Sequence, residues 1–430
     1  MGAGFHPRPF CGARLLAACV ACLLTLSCGG GGGGGTPAAP ASNPSSVSIG
    51  AAASSATVSV VPLAGPPPSN VAAVTLDRGP SGAGNIINLP FVSVTLCRPG
   101  TATCQTIDHV LVDTGSYGVR IIAGVVDPAL ALPPVTGAAG NPVGECGQFL
   151  SGFLWGSVHR ADLKIAGETA ASLPVQQVGT AGFDSVPPGC SSTGANIGTV
   201  AALGANGILG VGLFNQDCGN ACAVRVIAGT YYECAAAACT GAVMPLADQV
   251  ANPIAAFATN NNGMALALPA VAAGGATALT GALIFGIDTQ TNNRVGSATV
   301  DAVNGSGNFT TTYKGAALTS SFLDSGSNGL FFPDATIPLC SGLRGFYCPA
   351  ATLALSAVNT SANGAASGTV DFSVENVQAL DGTILAAALG GNIGRATSFV
   401  WGLPFFFGRT VFFAIDGAAT AHGPGPYWAY

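Results

Sequence analysis

Charge is what this sequence has least of. Only 7% of its 430 residues are Asp, Glu, Lys or Arg, and the formal net charge is −6. Lysine is nearly absent and no basic cluster occurs. Nucleic acid, which is gripped by grouped Lys and Arg, is therefore not an expected partner. Few charges also mean little self-repulsion at low pH, which fits acid surroundings without requiring them. Long apolar runs are missing too. The longest near the start, Leu15 to Leu26, falls short of the about 20 residues that a bilayer-spanning helix needs. Helix signals are sparse. The best is PLADQVANPIAAFA, Pro245 to Ala258, with Pro245 suited to a first turn. There is no G-x-S-x-G elbow, no metal-ligand spacing and no phosphate-binding loop, so no cofactor and no metal are expected. His109 and His159 stand in strand-like stretches without a matching partner. They read as surface or satisfied core histidines rather than catalysts.

What is abundant is glycine, with Thr, Val and Ser frequent, and 49% of residues hydrophobic. That mix suits many short strands joined by Gly-rich turns, in a chain long enough for two domains. Leu15 to Leu26 follows Arg8 and Arg14 and ends in LTLSCGGGGGGG, the order of an export signal. Its close resembles a bacterial lipoprotein signal, with Ser27 before Cys28. The resemblance implies a signal peptide over 1–28, lipid on Cys28, and export to the bacterial cell envelope with membrane contact through that anchor only. Thr25 stands where that pattern prefers Leu. LLAAC, ending at Cys19, fits better but leaves too short an apolar stretch. A plain secretory signal cut nearby is the other reading. Residues 29–70 are Gly, then Pro, Ala and Ser, a composition that buries no core and reads as a linker.

Cysteine usage supports export. Of 14 cysteines, Cys11, Cys19, Cys22 and Cys28 lie in the leader. The others are Cys97, Cys104, Cys146, Cys190, Cys218, Cys222, Cys234, Cys239, Cys340 and Cys348, an even set of disulfide candidates. Cys97 with Cys104 and Cys340 with Cys348 look like local loop closures. Cys222–Cys234 nested inside Cys218–Cys239 would leave Cys146 with Cys190, although spacing does not fix connectivity. A four-Cys zinc site is the competing reading of the middle group, disfavoured by an oxidising compartment and the lack of a nearby His.

From Val71 the pattern alternates, and NLPFVSVTLC, VLVD, ADLKIAG, LPVQQVG, GILGVG, MALALPAV, ALIFGID, FLDSG, TVDFSV and FFFGRTVFFAID read as strands. We expect a mostly β fold of two lobes, 71–272 and 273–430. The division rests on an internal repeat. LVDTGSYGV (Leu111 to Val119) and FLDSGSNGL (Phe322 to Leu330) share apolar-apolar-Asp-Thr/Ser-Gly-Ser-x-Gly-apolar. Each is followed later by two apolar residues and a glycine, Ile208 to Gly210 and Val400 to Gly402. Asp113 and Asp324, each at a strand end, are the candidate catalysts. Thr114, Gly115, Ser116, Ser325, Gly326 and Ser327 are the supporting loops. The glycines leave room for close approach, Ser116 and Ser327 can bond the carboxylates, and Thr114 and Ser325 can lock the loops together. Two carboxylates within about 3 Å cannot both ionise, so the pair titrates as a unit with one proton to share.

These motifs, in this order over roughly residues 85–420, resemble the pepsin-type, two-lobed aspartic peptidases. LVDTGS and FLDSGS match that family's two catalytic loops. NGILGVGLF resembles its first ψ-shaped loop, LIFGID the strand opening its second lobe, and VWGLPFFFGRTVFFAIDG its C-terminal segment. A narrower resemblance, carried by CRPGTATC…VLVDTGSYGVRI…ECGQF…WGSV, is to a bacterial lipoprotein family classed as a domain of unknown function. The pepsin-type resemblance implies a bilobal β fold with a central cleft and an aspartic endopeptidase acting on a peptide or protein substrate, expected to work as a monomer without cofactor. A non-catalytic envelope binding protein on the same fold is the alternative. A surface scaffold without a cleft is the third reading. Two departures stand out. Phe149 falls where the family's flap tyrosine stands, with Trp155 nearby as a replacement lid aromatic. Arg120 replaces the tryptophan after the first loop, placing a cation near the cleft.

Overall fold

The repeat in the sequence returns as a repeat of strand pairing. The computed structural model describes residues 69–430 apart from 85, 237 and 381–383. In it, Cys104–Asp113 runs parallel to Gly207–Val211, with Asp113 opposite Gly210. Gly207–Val211 runs antiparallel to Tyr117–Ile122, which runs parallel to Glu168–Val178. The same four-strand order recurs further on. Ala316–Leu323 is parallel to Val400–Trp401, Val400–Trp401 is antiparallel to Leu330–Phe331, and Leu330–Phe331 is parallel to Gly390–Gly391. In both copies an apolar strand stops at an aspartate, and the chain turns through Gly and Ser. It resumes two strands away, and a later apolar-apolar-Gly strand fills the slot between. Short hydroxyl-bearing residues and glycine end a strand because they bond their own backbone and accept tight turns.

The first copy belongs to a fifteen-stranded sheet and the second to one of seven strands; a two-stranded ribbon stands apart. Strands hold 43% of the described residues against 10% in helix, and the sheets are barrel-like, so the architecture is mostly β. The large sheet runs through the point where the sequence predicts a boundary at 272. Gly263–Leu268 and Leu279–Phe285 flank that point and pair antiparallel. Val71–Leu76 adds to the second of them and Arg409–Ala414 to the first.

Val110, Val112, Leu209 and Val211 from the first copy share one buried cluster with Leu323, Leu330 and Trp401 from the second. Phe332, Phe399 and Trp401 stack behind the second loop, at 4.7 and 4.0 Å between ring centroids. Each such ring contributes roughly 2 kcal/mol by leaving water. The Trp401 indole N–H is satisfied by Thr311 Oγ1 at 3.0 Å.

Two expectations are corrected. The helix predicted over Pro245 to Ala258 is instead two short 3-10 turns, Leu246–Asp248 and Pro253–Ala256. Pro253 cannot continue a helix through its missing N–H, and it pushes Asn252 into extended backbone. Asn252 then caps Ile254 N at 3.1 Å. The nested pairing of the middle cysteines is also wrong. The bridges are Cys218–Cys222 and Cys234–Cys239. Cys234 and Cys239 lie directly opposite on the hairpin Tyr231–Ala235 and Ala238–Gly241, with Cα atoms 4.0 Å apart. Their sulfurs are engaged, so the zinc reading falls as well. Cys97–Cys104, Cys146–Cys190 and Cys340–Cys348 form as expected. The leader 1–28, the lipidation candidate Cys28 and the linker up to residue 68 lie outside the described residues. Among the described residues no helix is long and apolar enough to cross a membrane.

Candidate functional site

Asp113 and Asp324 meet where the two four-strand units touch. Both are buried, at 6% and 8% exposure, although a carboxyl at a strand end is ordinarily solvated. Each is held by its own loop in the same way. Gly115 N donates to Asp113 Oδ1 at 2.9 Å and Ser116 Oγ to Oδ2 at 2.5 Å. Gly326 N donates to Asp324 Oδ1 at 2.9 Å, Ser327 N to the same oxygen at 3.2 Å, and Ser327 Oγ to Oδ2 at 2.6 Å. The loop carbonyls are matched too. Ser116 O accepts from Gly212 N at 3.0 Å and Ser327 O from Leu403 N at 2.7 Å.

The loops are tied to each other by crossed hydrogen bonds. Ser325 N donates to Thr114 Oγ1 at 2.9 Å, and Thr114 N donates to Ser325 Oγ at 3.2 Å. Ser325 Oγ donates on to Val112 O at 2.6 Å and Thr114 Oγ1 to Leu323 O at 3.5 Å. This two-fold exchange makes each loop the scaffold of the other. It also brings each glycine against the opposite carboxyl. A Cβ at Gly115 would lie 2.6 Å from Asp324 Cγ, and one at Gly326 2.7 Å from Asp113 Oδ1. Only glycine permits that approach.

The electrostatics follow from the geometry. Burial first, then the charge of Asp113, push the Asp324 carboxyl up to about 8, against opposing hydrogen bonds from Ser327 and Gly326. A hydrogen bond between the two carboxyls adds to the rise. The pair therefore shares a proton near neutrality, and the titration belongs to the pair. The phenol of half-buried Tyr117 is raised by burial and by the charges of Asp113 and Asp324, so it remains a donor. Its ring packs edge-on against Phe214 at 5.2 Å.

Residues 66–430 match the family described as Protein of unknown function (DUF3443). The chain belongs to that family. No curated protein matches the chain. The family description names no activity, so in this member chemistry rests on the residues.

The flap candidate of this family member is a hairpin, Val143–Gln148 and Phe153–Ile165, with Gln148 opposite Phe153. Phe149 stands at its turn, half-buried, 5.7 Å from the Arg120 guanidinium. Trp155 does not serve as a lid donor. It is 3% exposed and its indole N–H is committed to Phe183 O at 2.8 Å. Its ring packs against Phe183 and Tyr232, beside the Cys146–Cys190 bridge. The hairpin is braced on several sides. Val143–Gln148 pairs with Tyr231–Ala235, and Phe153 forms a bridge with Asn196.

The ion pairs of Arg120 are with residues other than Asp113 and Asp324. Arg120 bonds Glu145 and Asp217, neither of which the sequence reading singles out. Burial would lower the guanidinium, but the charges of Glu145 and Asp217 raise it. Burial and then the charge of Glu145 raise the Asp217 carboxyl. Asn88 was also missed. Its Nδ2 donates to Asn328 O and Ala386 O, both at 2.8 Å, and its Oδ1 accepts from Ala386 N at 2.9 Å. It thereby fixes the end of the second loop from the first half of the chain. An Asn before Leu-Pro looks like loop filler, and no sequence signal marks it.

Among the described residues no group of three or more His, Cys, Asp or Glu is placed to hold a metal ion.

Proposed function

We propose that this protein is an aspartic endopeptidase with a pepsin-type bilobal fold, exported to the bacterial cell envelope, lipid-anchored through Cys28 and acting as a monomer on peptide or protein chains. The observation that carries the reading is the matched pair, Asp113 and Asp324. Each is bonded by its own Gly–Ser turn, and each is packed against the other loop's glycine. One proton is shared by the pair, and burial beside Asp113 favours Asp324 as its holder. Asp113 then takes a proton from a water whose oxygen attacks the scissile carbonyl carbon, while Asp324 donates to the carbonyl oxygen. Collapse of the tetrahedral gem-diol breaks the C–N bond, and a carboxyl returns a proton to the leaving amine. No covalent enzyme intermediate forms. An extended chain would lie across the cleft beneath the Phe149 hairpin. That Arg120 pairs with Glu145 and Asp217 rather than Asp113 favours chemistry at the pair over a neutralised relic.

A binding protein on the same fold is the second reading. It draws on the bracing of the hairpin, which suits a fixed groove as well as a lid. Hydrolysis of an unfolded protein between about pH 3 and 7, with and without a statine-type inhibitor, separates the two. Inhibitor-sensitive fragments are expected. Intact substrate at every pH, from folded and disulfide-bonded protein, would overturn the peptidase reading and leave the binding one.

A further inference from the structure

Arg120 reaches three parts of the molecule at once. It lies on Tyr117–Ile122, directly after the first loop, and is 3% exposed. Nη1 donates to Tyr117 O at 2.8 Å. Tyr117 follows Ser116, whose hydroxyl holds Asp113. Nη2 bonds Glu145, which is 1% exposed on the first strand of the hairpin, and Asp217 Oδ2 at 3.2 Å. Asp217 is itself fixed, since Tyr231 Oη donates to its Oδ1 at 2.6 Å and accepts from Val250 N at 2.8 Å. The guanidinium carbon lies over the Phe149 ring at the hairpin turn, 5.7 Å from its centroid. Gly147 makes room for that contact, because a Cβ there would lie 2.8 Å from Arg120 Nε and 3.2 Å from Phe149 Cε2.

We infer that Arg120 is a positioning residue, a latch that sets the height of the Phe149 hairpin relative to the Asp113 loop. The inference rests on the peptidase reading for its consequence in catalysis, not for the latch itself. Guanidinium suits the task and ammonium does not. A planar fork donates in two directions at once and leaves its face free to stack on a ring, whereas Lys is a point charge. Three acceptors, Tyr117 O, Glu145 and Asp217, explain why the fork is held so firmly. The contact with half-buried Phe149 is the weaker end, and the one that can part when a chain enters.

The test uses the whole mature protein and two variants. Phe149→Leu removes the ring contact and leaves the Arg120–Glu145–Asp217 cluster intact, so it should fold. Arg120→Lys keeps the charge and loses the fork. Amide hydrogen exchange over residues 147–153, read without substrate, should quicken about tenfold in Phe149→Leu and at least as much in Arg120→Lys. If Arg120→Lys does not fold, Phe149→Leu decides. With a cleavable peptide, KM should rise by a larger factor than kcat falls. Unchanged exchange in Phe149→Leu overturns the latch, even if hydrolysis is robust. Quickened exchange in a protein that cleaves nothing upholds the latch while removing the peptidase reading.

Discussion

A methyl group at Gly115 would stand 2.6 Å from Asp324 Cγ, so Gly115→Ala must push the carboxyls apart or bend the loop. We predict a folded protein destabilised by about 1–3 kcal/mol, the usual cost of overpacking. Hydrolysis should drop on the order of 100-fold, because displacing a reacting group by about 1 Å is that expensive. Denaturant titration alongside kinetics checks both numbers. Thr114→Ala strands the buried Ser325 N–H without its acceptor and should cost about 1–3 kcal/mol in the same titration. These residues were legible in the sequence because the motif occurs twice. The duplication made Asp113 and Asp324 a pair before any geometry was known. Glu145, Asp217 and Asn88 were not legible. Their roles come from segments that meet only after folding, and no local pattern around any of them marks its partner.

At the scale of elements, short strands were read well where an apolar run ended at Gly, Ser or Asp. The helix expected from Pro245 fails because Pro253 falls in its interior, where a proline breaks the hydrogen-bond ladder. The disulfides show the same limit. Adjacent cysteines pair when a turn closes them, but whether a hairpin or a helix end does so is decided by pairing that sequence spacing does not reveal. Cys146–Cys190 is the long bridge, with a separation of 44 against 4 to 8 for the others. By loop-closure entropy it should stabilise by roughly 4 kcal/mol and the short bridges by roughly 2. Replacing both of its cysteines by Ala should therefore cause the largest loss of any single bridge, seen as the greatest fall in denaturation midpoint. It should also loosen Val143–Gln148, which carries Cys146.

For the whole molecule, the titrating groups set a pH window. Asp324 is raised to about 8 and Asp301 to about 6, the latter by burial. A carboxyl raised in the fold binds its proton more tightly there than in the unfolded chain. Its contribution is therefore complete below about pH 4 and lost as pH climbs through the folded value. Asp334 works the other way. Burial alone would raise it, but hydrogen bonds from Lys314, Thr336 and Tyr313 hold it well below the usual carboxylate range. Its contribution is present above about pH 4 and lost as pH falls further. Stability should therefore peak near pH 4–5 and decline toward pH 8. Asp324→Asn should flatten that decline, measured as unfolding free energy across the range. That expected profile agrees with a sequence in which only 7% of residues are charged. The most direct measurement is hydrolysis of one unfolded substrate by Asp113→Asn and by Asp324→Asn, each confirmed folded, beside the unaltered protein. A shared-proton pair predicts loss on the order of 1,000-fold or more in either variant, with the double variant little worse. Hydrolysis surviving in either single variant would contradict it.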